Sequence, residues 1–174
     1  MFSKTDIEKY FLAEKQVSLF FMIIGIVAVI LALVFFFGIK NNFYKGAAVP
    51  LLAVGLLLGV VGYTVFARTD KDRKRNVYAY DMNPGDIKEK EIPRMEKVMK
   101  NFMIYRYAEI ALLVLGIGLF YYFNNNEAQA FWKGVGLTLV IMALLALSAD
   151  YFAKKRGREY LNGLNSWVRA LKAN

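Results

Sequence analysis

Two carboxylates stand alone in long apolar surroundings: Glu109 is the one charged residue in 107–123, and Asp150 is the one in 134–153. An ionisable group in such a setting is a functional candidate, because taking a charge from water into hydrocarbon is expensive. Each acid has a cation within about one helical turn, Arg106 three residues before Glu109 and Lys154 four residues after Asp150. Arg106, Glu109, Asp150 and Lys154 therefore form a candidate polar cluster. As a functional group it would be a proton or cation site, or a polar vestibule. The competing role, favoured where the burial is shallow, is two locally paired and partly hydrated acids that fix helix orientation.

Little other chemistry is on offer. The chain has no Cys and no His, which removes disulfides, thiolate or imidazole nucleophilic systems, Cys/His zinc and iron sites, and imidazole-ligated haem. Asp70-x-Asp72 is flanked by Lys and Arg and makes a poor hard-cation site. Gly116-x-Gly118 lies inside an apolar block, not in a phosphate-cradling loop. No catalytic residue, cofactor site or metal ligand is assigned, and an enzyme is the least favoured function class.

The elements that must position these residues are four apolar blocks. Residues 17–39 and 47–67 contain no charge at all. As a helix the first would be ~34 Å long at ~1.5 Å per residue, enough to cross a ~30 Å hydrocarbon core. A soluble bundle would carry polar residues on one face of every helix, and these blocks do not. The expected fold is an all-α integral membrane four-helix bundle. The first block is too long for a secretion signal and lacks a cleavage pattern, so it is expected to be retained.

The formal net charge of +9 is unevenly distributed. Lys and Arg number three before the first block, eleven in 68–106 and six after Ala153, against three (Lys40, Lys45, Lys133) in the two short loops between paired blocks. Twenty against three is the positive-inside bias and places both termini in the cytoplasm, with a bacterial inner membrane as the default location. The basic segments then meet anionic lipid headgroups. Nucleic acid is excluded as a partner, since no base-stacking or groove-reading motif accompanies the charge.

The blocks also repeat. Shifting the chain by 88 residues aligns Phe43-Tyr44-Lys45-Gly46 with Phe131-Trp132-Lys133-Gly134, and the match continues through Tyr63/Tyr151 and Arg68/Arg156. Glu8-Lys9 matches Glu96-Lys97 at the same offset. The expected organisation is one domain over 1–174, made of two tandem hairpins in parallel orientation at about 7–76 and 95–164. Asp150 then matches Gly62 and Glu109 matches Phe21, so the acids belong to the second copy alone. Aromatic-Lys-Gly turns fit an interfacial belt. Small residues in the blocks (Gly55-x-x-x-Gly59, Gly62, and Ala143, Ala146, Ala149, Ala153) allow close helix packing within one chain, with homo-oligomer contact as the second use.

Between the hairpins, 68–106 reads as a cytoplasmic loop. Its charge run 68–75 is a stop-transfer flank, and Asn83-Pro84-Gly85 predicts a tight turn with Gly85 free to take positive φ. Residues 92–103 place Met95, Val98, Met99 and Phe102 on one side of a helix, with Pro93 in its first turn. The tail, 157–174, places Leu161, Leu164, Trp167, Val168 and Leu171 in a stripe, with Arg158, Arg169 and Lys172 on other faces. Both are expected to be amphipathic helices lying on the membrane interface, with docking onto the protein body the second reading for the tail.

Near the middle of the blocks there is no carboxylate, amide, Lys or Arg. Proton-coupled small multidrug transporters carry an acid in their first helix; the likeness here stops at the number of helices. The leading functional expectation is a non-enzymatic membrane protein that acts by binding, as an accessory or immunity-type protein or in a homo-oligomer. The alternative is a small oligomeric channel or carrier for a lipid or apolar compound.

Overall fold

The computed structural model describes residues 2–173, with side chains as far as Leu171, so the cation expected at Lys172 lies beyond the described side chains. Four long helices account for nearly all of it: α1 (Lys4–Leu33), α2 (Asn42–Met82), α3 (Ile92–Tyr122) and α4 (Ala130–Ala173). No strand occurs among the described residues. All four helices, with their short flanking turns, are long and apolar enough to cross a membrane.

Local chemistry fixes the helix ends. The Asp6 carboxylate accepts from the Ser3 backbone N–H and hydroxyl, both at 2.8 Å, which anchors the start of α1. Asn41 Oδ1 accepts from the Phe43 N–H at 2.8 Å at the start of α2. A wide π turn, Val34–Gly38, ends the first helical run. Asn83, in a non-helical conformation ahead of Pro84, separates α2 from the next helical segment.

That single break corrects the expected loop. Residues 68–82 continue α2 without interruption, and the chain re-enters helix at Pro84–Asp86 and the π turn Ile87–Glu91. Gly85 lies within this short helix, and no described residue has positive φ. The charge run is held by ion pairs along and between helices, including Lys15–Asp70, Arg73–Asp70 (3.7 Å) and Arg75–Asp72 (3.2 Å). Pro50 lies inside α2, in the part of the helix near its start.

α1 packs along α2, α3 along α4, and the two pairs meet through α2 and α4. Within 17–39, 47–67, 107–123 and 134–153 the buried residues are small, with Val135 the largest. Gly55 faces Gly25 and Ala28, Gly62 faces Ser18 and Met22, and Gly116 faces Gly136 and Val140. Small residues let backbones approach within van der Waals contact. Gly55 and Gly62 thus serve packing inside the chain, while nothing lies near the face that Gly59 presents.

The α2–α4 contact is reciprocal. A Cβ on Gly46 would fall on the Phe131 carbonyl, and a Cβ on Gly134 would fall on the Phe43 carbonyl. Each glycine receives the backbone of the other helix at the residue that opens its own Phe-aromatic-Lys-Gly segment.

The large buried side chains lie elsewhere. Ile7, Phe11, Ile87, Met95 and Leu164 are sealed from solvent in one cluster with Ala79, Ile92 and Tyr160. This body is built from the start of α1, the end of α2, residues 87–99 and the end of α4. The expected interfacial helices are its walls: Met95 and Leu164 are fully buried, and Met99, Leu161, Trp167 and Val168 pack against the core. Of the tail stripe, Leu171 stays exposed. The tail is also no separate segment, since it continues α4. An amphipathic face satisfies its apolar side whether it meets lipid or protein, and here four such faces meet one another. Tyr80 stacks on Trp167 (4.5 Å, 20°) and donates to the Phe2 carbonyl at 3.2 Å, closing the N-terminus over the tail.

Replacing Gly46 or Gly134 with Leu is expected to destabilise the chain by roughly 1–3 kcal/mol each, because the opposing atoms are backbone and cannot turn aside. Leu at Gly118, where nothing lies within 4 Å, should change stability by less than about 0.5 kcal/mol. Thermal unfolding of the purified variants checks both; equal losses at all three positions would contradict the reciprocal contact.

Candidate functional site

The sequence cluster sits where the apolar part of the α3–α4 pair gives way to the body. Arg106 and Glu109 project from α3, Asp150 and Lys154 from α4. The carboxyls of Glu109 and Asp150 are electrostatic neighbours, and the positive charge of Arg106 acts on both. Each acid keeps one buried oxygen without a hydrogen-bond partner, Glu109 Oε2 and Asp150 Oδ2. Such a pair can hold one proton or one small cation between its two members. The expected same-helix ion pairs do not form: among the described residues neither Arg106–Glu109 nor Lys154–Asp150 approaches within 4.0 Å. The two acids instead act on each other across the α3–α4 contact.

Arg106 and Lys154 come together in a different way. With Lys155, Arg158, Glu159 and Tyr151 they line a groove of about 470 Å³. Asn162 completes its wall. The groove opens beside the carboxyl pair, so one end of the α3–α4 seam carries four cations over two acids. A helix turn explains the wall on α4: residues 151, 154, 155, 158 and 162 repeat at three- and four-residue intervals and share a face.

A second group of polar residues went unremarked in the sequence. Glu91 is only 1% exposed although its side chain is acidic. Arg94 clamps it with two hydrogen bonds, Nε to Oε2 at 2.9 Å and Nη2 to Oε1 at 2.6 Å. Tyr160 donates to Oε1 at 3.3 Å, and Arg75 Nη2 lies 3.6 Å from Oε2. The Tyr160 ring stacks flat on Tyr10 (4.0 Å, 1°), and Tyr10 donates to Met95 Sδ at 3.6 Å. Burial pushes the Tyr10 and Tyr160 hydroxyls well above the usual tyrosine value, with nearby Glu14 and Glu91 reinforcing the shift, so both stay protonated donors. Burial alone would lower the Arg94 value, but its bonds to Glu91 outweigh that and raise it. The network is therefore a fixed ion pair braced by two phenols. Its one advance signal was the Glu91-x-x-Arg94 spacing, disguised because Glu91 closes a Lys-Glu-Lys-Glu run at 88–91.

At the opposite end, Lys40, Asn41, Asn42, Asn124, Asn126 and Glu127 line a shallow polar groove of about 700 Å³ with Lys133. Lys133 donates to the Asn124 carbonyl at 3.3 Å. Among the described residues no three His, Cys, Asp or Glu side chains gather in a way that could hold a metal ion. No protein family, curated protein or solved structure matches the chain.

Two outcomes test the electrostatics of the body. Glu91→Gln should cost about 3 kcal/mol, because it leaves Arg94 partly buried without its counter-charge; the Glu91→Leu/Arg94→Leu double variant should be less destabilised than the sum of its singles. Glu14 behaves oppositely. Burial pushes its carboxyl above the ordinary 4.5, with Arg94 and Arg68 pulling against that shift. An acid with a raised folded value binds more protons when folded, so its ionisation removes stability as pH rises above about 4.5. Glu14→Gln is thus expected to raise the melting temperature at pH 7 and to flatten its pH dependence above that point, as read by thermal unfolding across a pH series.

Proposed function

We propose that this chain is a four-span integral membrane protein, built from two tandem hairpins in parallel orientation, with its body in the cytoplasm. It acts by binding, as an accessory or immunity-type protein, and catalyses no reaction of its own. One observation carries the membrane part. Most of the large apolar side chains of the four blocks are exposed and only Val135 among them is buried, whereas the large side chains sealed from solvent all belong to the body. Tyr63, Val60 and Leu57 on α2, and Val114 and Tyr121 on α3, are each at least half exposed. An apolar belt of this extent is untenable in water for a lone chain, and lipid supplies what protein packing does not. The reciprocal Gly46/Phe131 and Gly134/Phe43 contacts support the tandem arrangement, since equivalent residues of the two copies meet across one axis. The lysine and arginine excess at the body end supports the orientation.

The binding part rests on the body. It is a basic platform with its own core and a buried ion network, and all four spans run into it as unbroken helices. A surface of that kind suits holding a partner or the membrane itself. The paired acids Glu109 and Asp150, with one unpartnered oxygen each, favour a second reading, a small oligomeric carrier for a lipid or apolar compound.

The absence of cysteine makes the topology directly testable. Asn126→Cys in intact cells should react with a membrane-impermeant maleimide, and Ser166→Cys should react only after permeabilisation. The reverse pattern would overturn the orientation, and labelling of both in intact cells would overturn the span assignment. Glu109→Gln with Asp150→Asn should leave the protein inserted with only a change in stability. Loss of substrate flux in vesicles with the fold retained would favour the carrier.

A further inference from the structure

We propose that the groove between α3 and α4 is a binding site for the phosphate headgroup of one anionic phospholipid, a role that rests on the membrane reading and specifies the ligand of that surface. Four cations line it, Arg106, Lys154, Lys155 and Arg158, against the single acid Glu159. Several cations elsewhere in the body are neutralised: Lys4 pairs with Asp81, Lys15 with Asp70, Lys90 with Asp86 and Arg94 with Glu91. Others, such as Lys97 and Lys100, have no carboxylate within 4.0 Å among the described residues but stand outside the groove, so convergence on one cleft is what sets the four apart. Among the described residues none of the four groove cations has a carboxylate within 4.0 Å. The charge of Arg106 also acts on Glu109 and Asp150, but Lys154, Lys155 and Arg158 bring further like charges to the same cleft, and these repel one another unless an anion joins them. A phosphate diester suits that role, since Arg gives it a planar fork of donors and Lys gives point charges.

Position selects the lipid over a free phosphate. The groove ends where the apolar part of the helices begins. Ile110 and Val114 follow Arg106 at one and two turns along α3, and Leu144 precedes Tyr151 by two turns on α4. All three are exposed. A ligand whose anion enters the groove can lay its acyl chains along that seam. Basic pockets between spans on the cytoplasmic side hold anionic headgroups by this combination of charge and depth. The groove volume of about 470 Å³ accommodates a headgroup but not the chains, which must therefore lie outside it against the helices.

The full chain, purified in a zwitterionic detergent, is titrated with phosphatidylglycerol and separately with phosphatidylcholine, and retained lipid is counted by native mass spectrometry. Wild type should retain one phosphatidylglycerol and release phosphatidylcholine. Lys154→Gln/Arg158→Gln should weaken retention roughly tenfold to thirtyfold, while Lys97→Gln/Lys100→Gln, exposed cations of α3 outside the groove, should leave it unchanged. The charge-keeping Lys154→Arg/Arg158→Lys should restore it, which separates loss of charge from loss of fold. Equal weakening by the Lys97/Lys100 pair would overturn the site in favour of a diffuse basic surface. Retention of both lipids alike would overturn the anion requirement. Displacement of the lipid by glycerol phosphate at comparable concentration would overturn the lipid and leave a soluble phosphate as the ligand. Alkaline carbonate extraction of the same membranes tests insertion by itself: a chain that washes off fails as a membrane protein, whereas one that stays but retains no lipid fails only at the groove.

Discussion

Close approach of helix backbones at small residues is the constraint on which the rest depends. Four helices with bulky, uncharged surfaces have no polar pattern to tell them how to pair. Glycine and alanine supply the missing information by marking where backbone can meet backbone: Gly25 on Gly55 and Gly59, Gly116 on Gly136, Gly46 on the Phe131 carbonyl and Gly134 on the Phe43 carbonyl. The attraction in such contacts is dispersion, small per atom pair and dependent on proximity. A methyl group on Gly25, Gly46, Gly55, Gly116, Gly134 or Gly136 would press on the backbone or side chains of the facing helix, whereas one on Gly59 would meet nothing. With the pairing set near the loops, the helices emerge from their apolar parts already aligned, and their charged extensions have only one another to fold against.

That is where the second level of specificity enters. The body has a conventional core of Ile7, Phe11, Ile87, Met95 and Leu164, but at its centre stands a carboxylate that apolar packing alone would never require. Taking Glu91 and Arg94 out of water is costly, and their mutual attraction offsets this only with good geometry and every remaining lone pair engaged. The two-pronged Arg94 contact, the Tyr160 hydroxyl and Arg75 meet that condition. Residues from α2, α3 and α4 must all be in register for it to be met. An oily core tolerates sliding; this network does not. Glu14, held nearby above its ordinary protonation range by burial, has among the described residues only the longer contact from Arg68 at 4.0 Å.

The four long helices could be read directly, because runs without charge and the loops between them are one-dimensional signals. The bearing of the small residues was also legible, since glycine spacing marks close packing without naming the partner. What the sequence did not reveal was where the amphipathic segments lie. The stripe of Leu161, Leu164, Trp167 and Val168 has the same periodicity whether it faces lipid or protein, and only the simultaneous presence of three other such faces decides between them. The helical continuity of 68–82 was hidden for a related reason: a dense charge run looks like a solvated loop until its partners, Lys15 and Glu14 on α1, are placed beside it. The same-helix spacing of Arg106 with Glu109 and of Asp150 with Lys154 is visible in a sequence, whereas the action of Asp150 on Glu109 across two helices is not.

The two halves of the molecule differ most where the candidate site lies. At the 88-residue offset, Arg106, Asp150, Lys154 and Arg158 correspond to Ser18, Gly62, Phe66 and Asp70. In the first hairpin those positions make a closed contact: Gly62 admits the α1 backbone at Ser18 and Met22, and Lys15 lies over the Phe66 ring at 4.9 Å while pairing with Asp70. Charge there is neutralised within the pair of helices. In the second hairpin the glycine is replaced by an acid, the ring by a lysine and the acid by an arginine, so the same stretch of helix surface gains cations and loses its internal partner. On the proposed tandem arrangement, one hairpin is closed on itself at these positions, while the other presents the cations on which the proposed anion site rests. The groove is open for the same reason that its counterpart is shut.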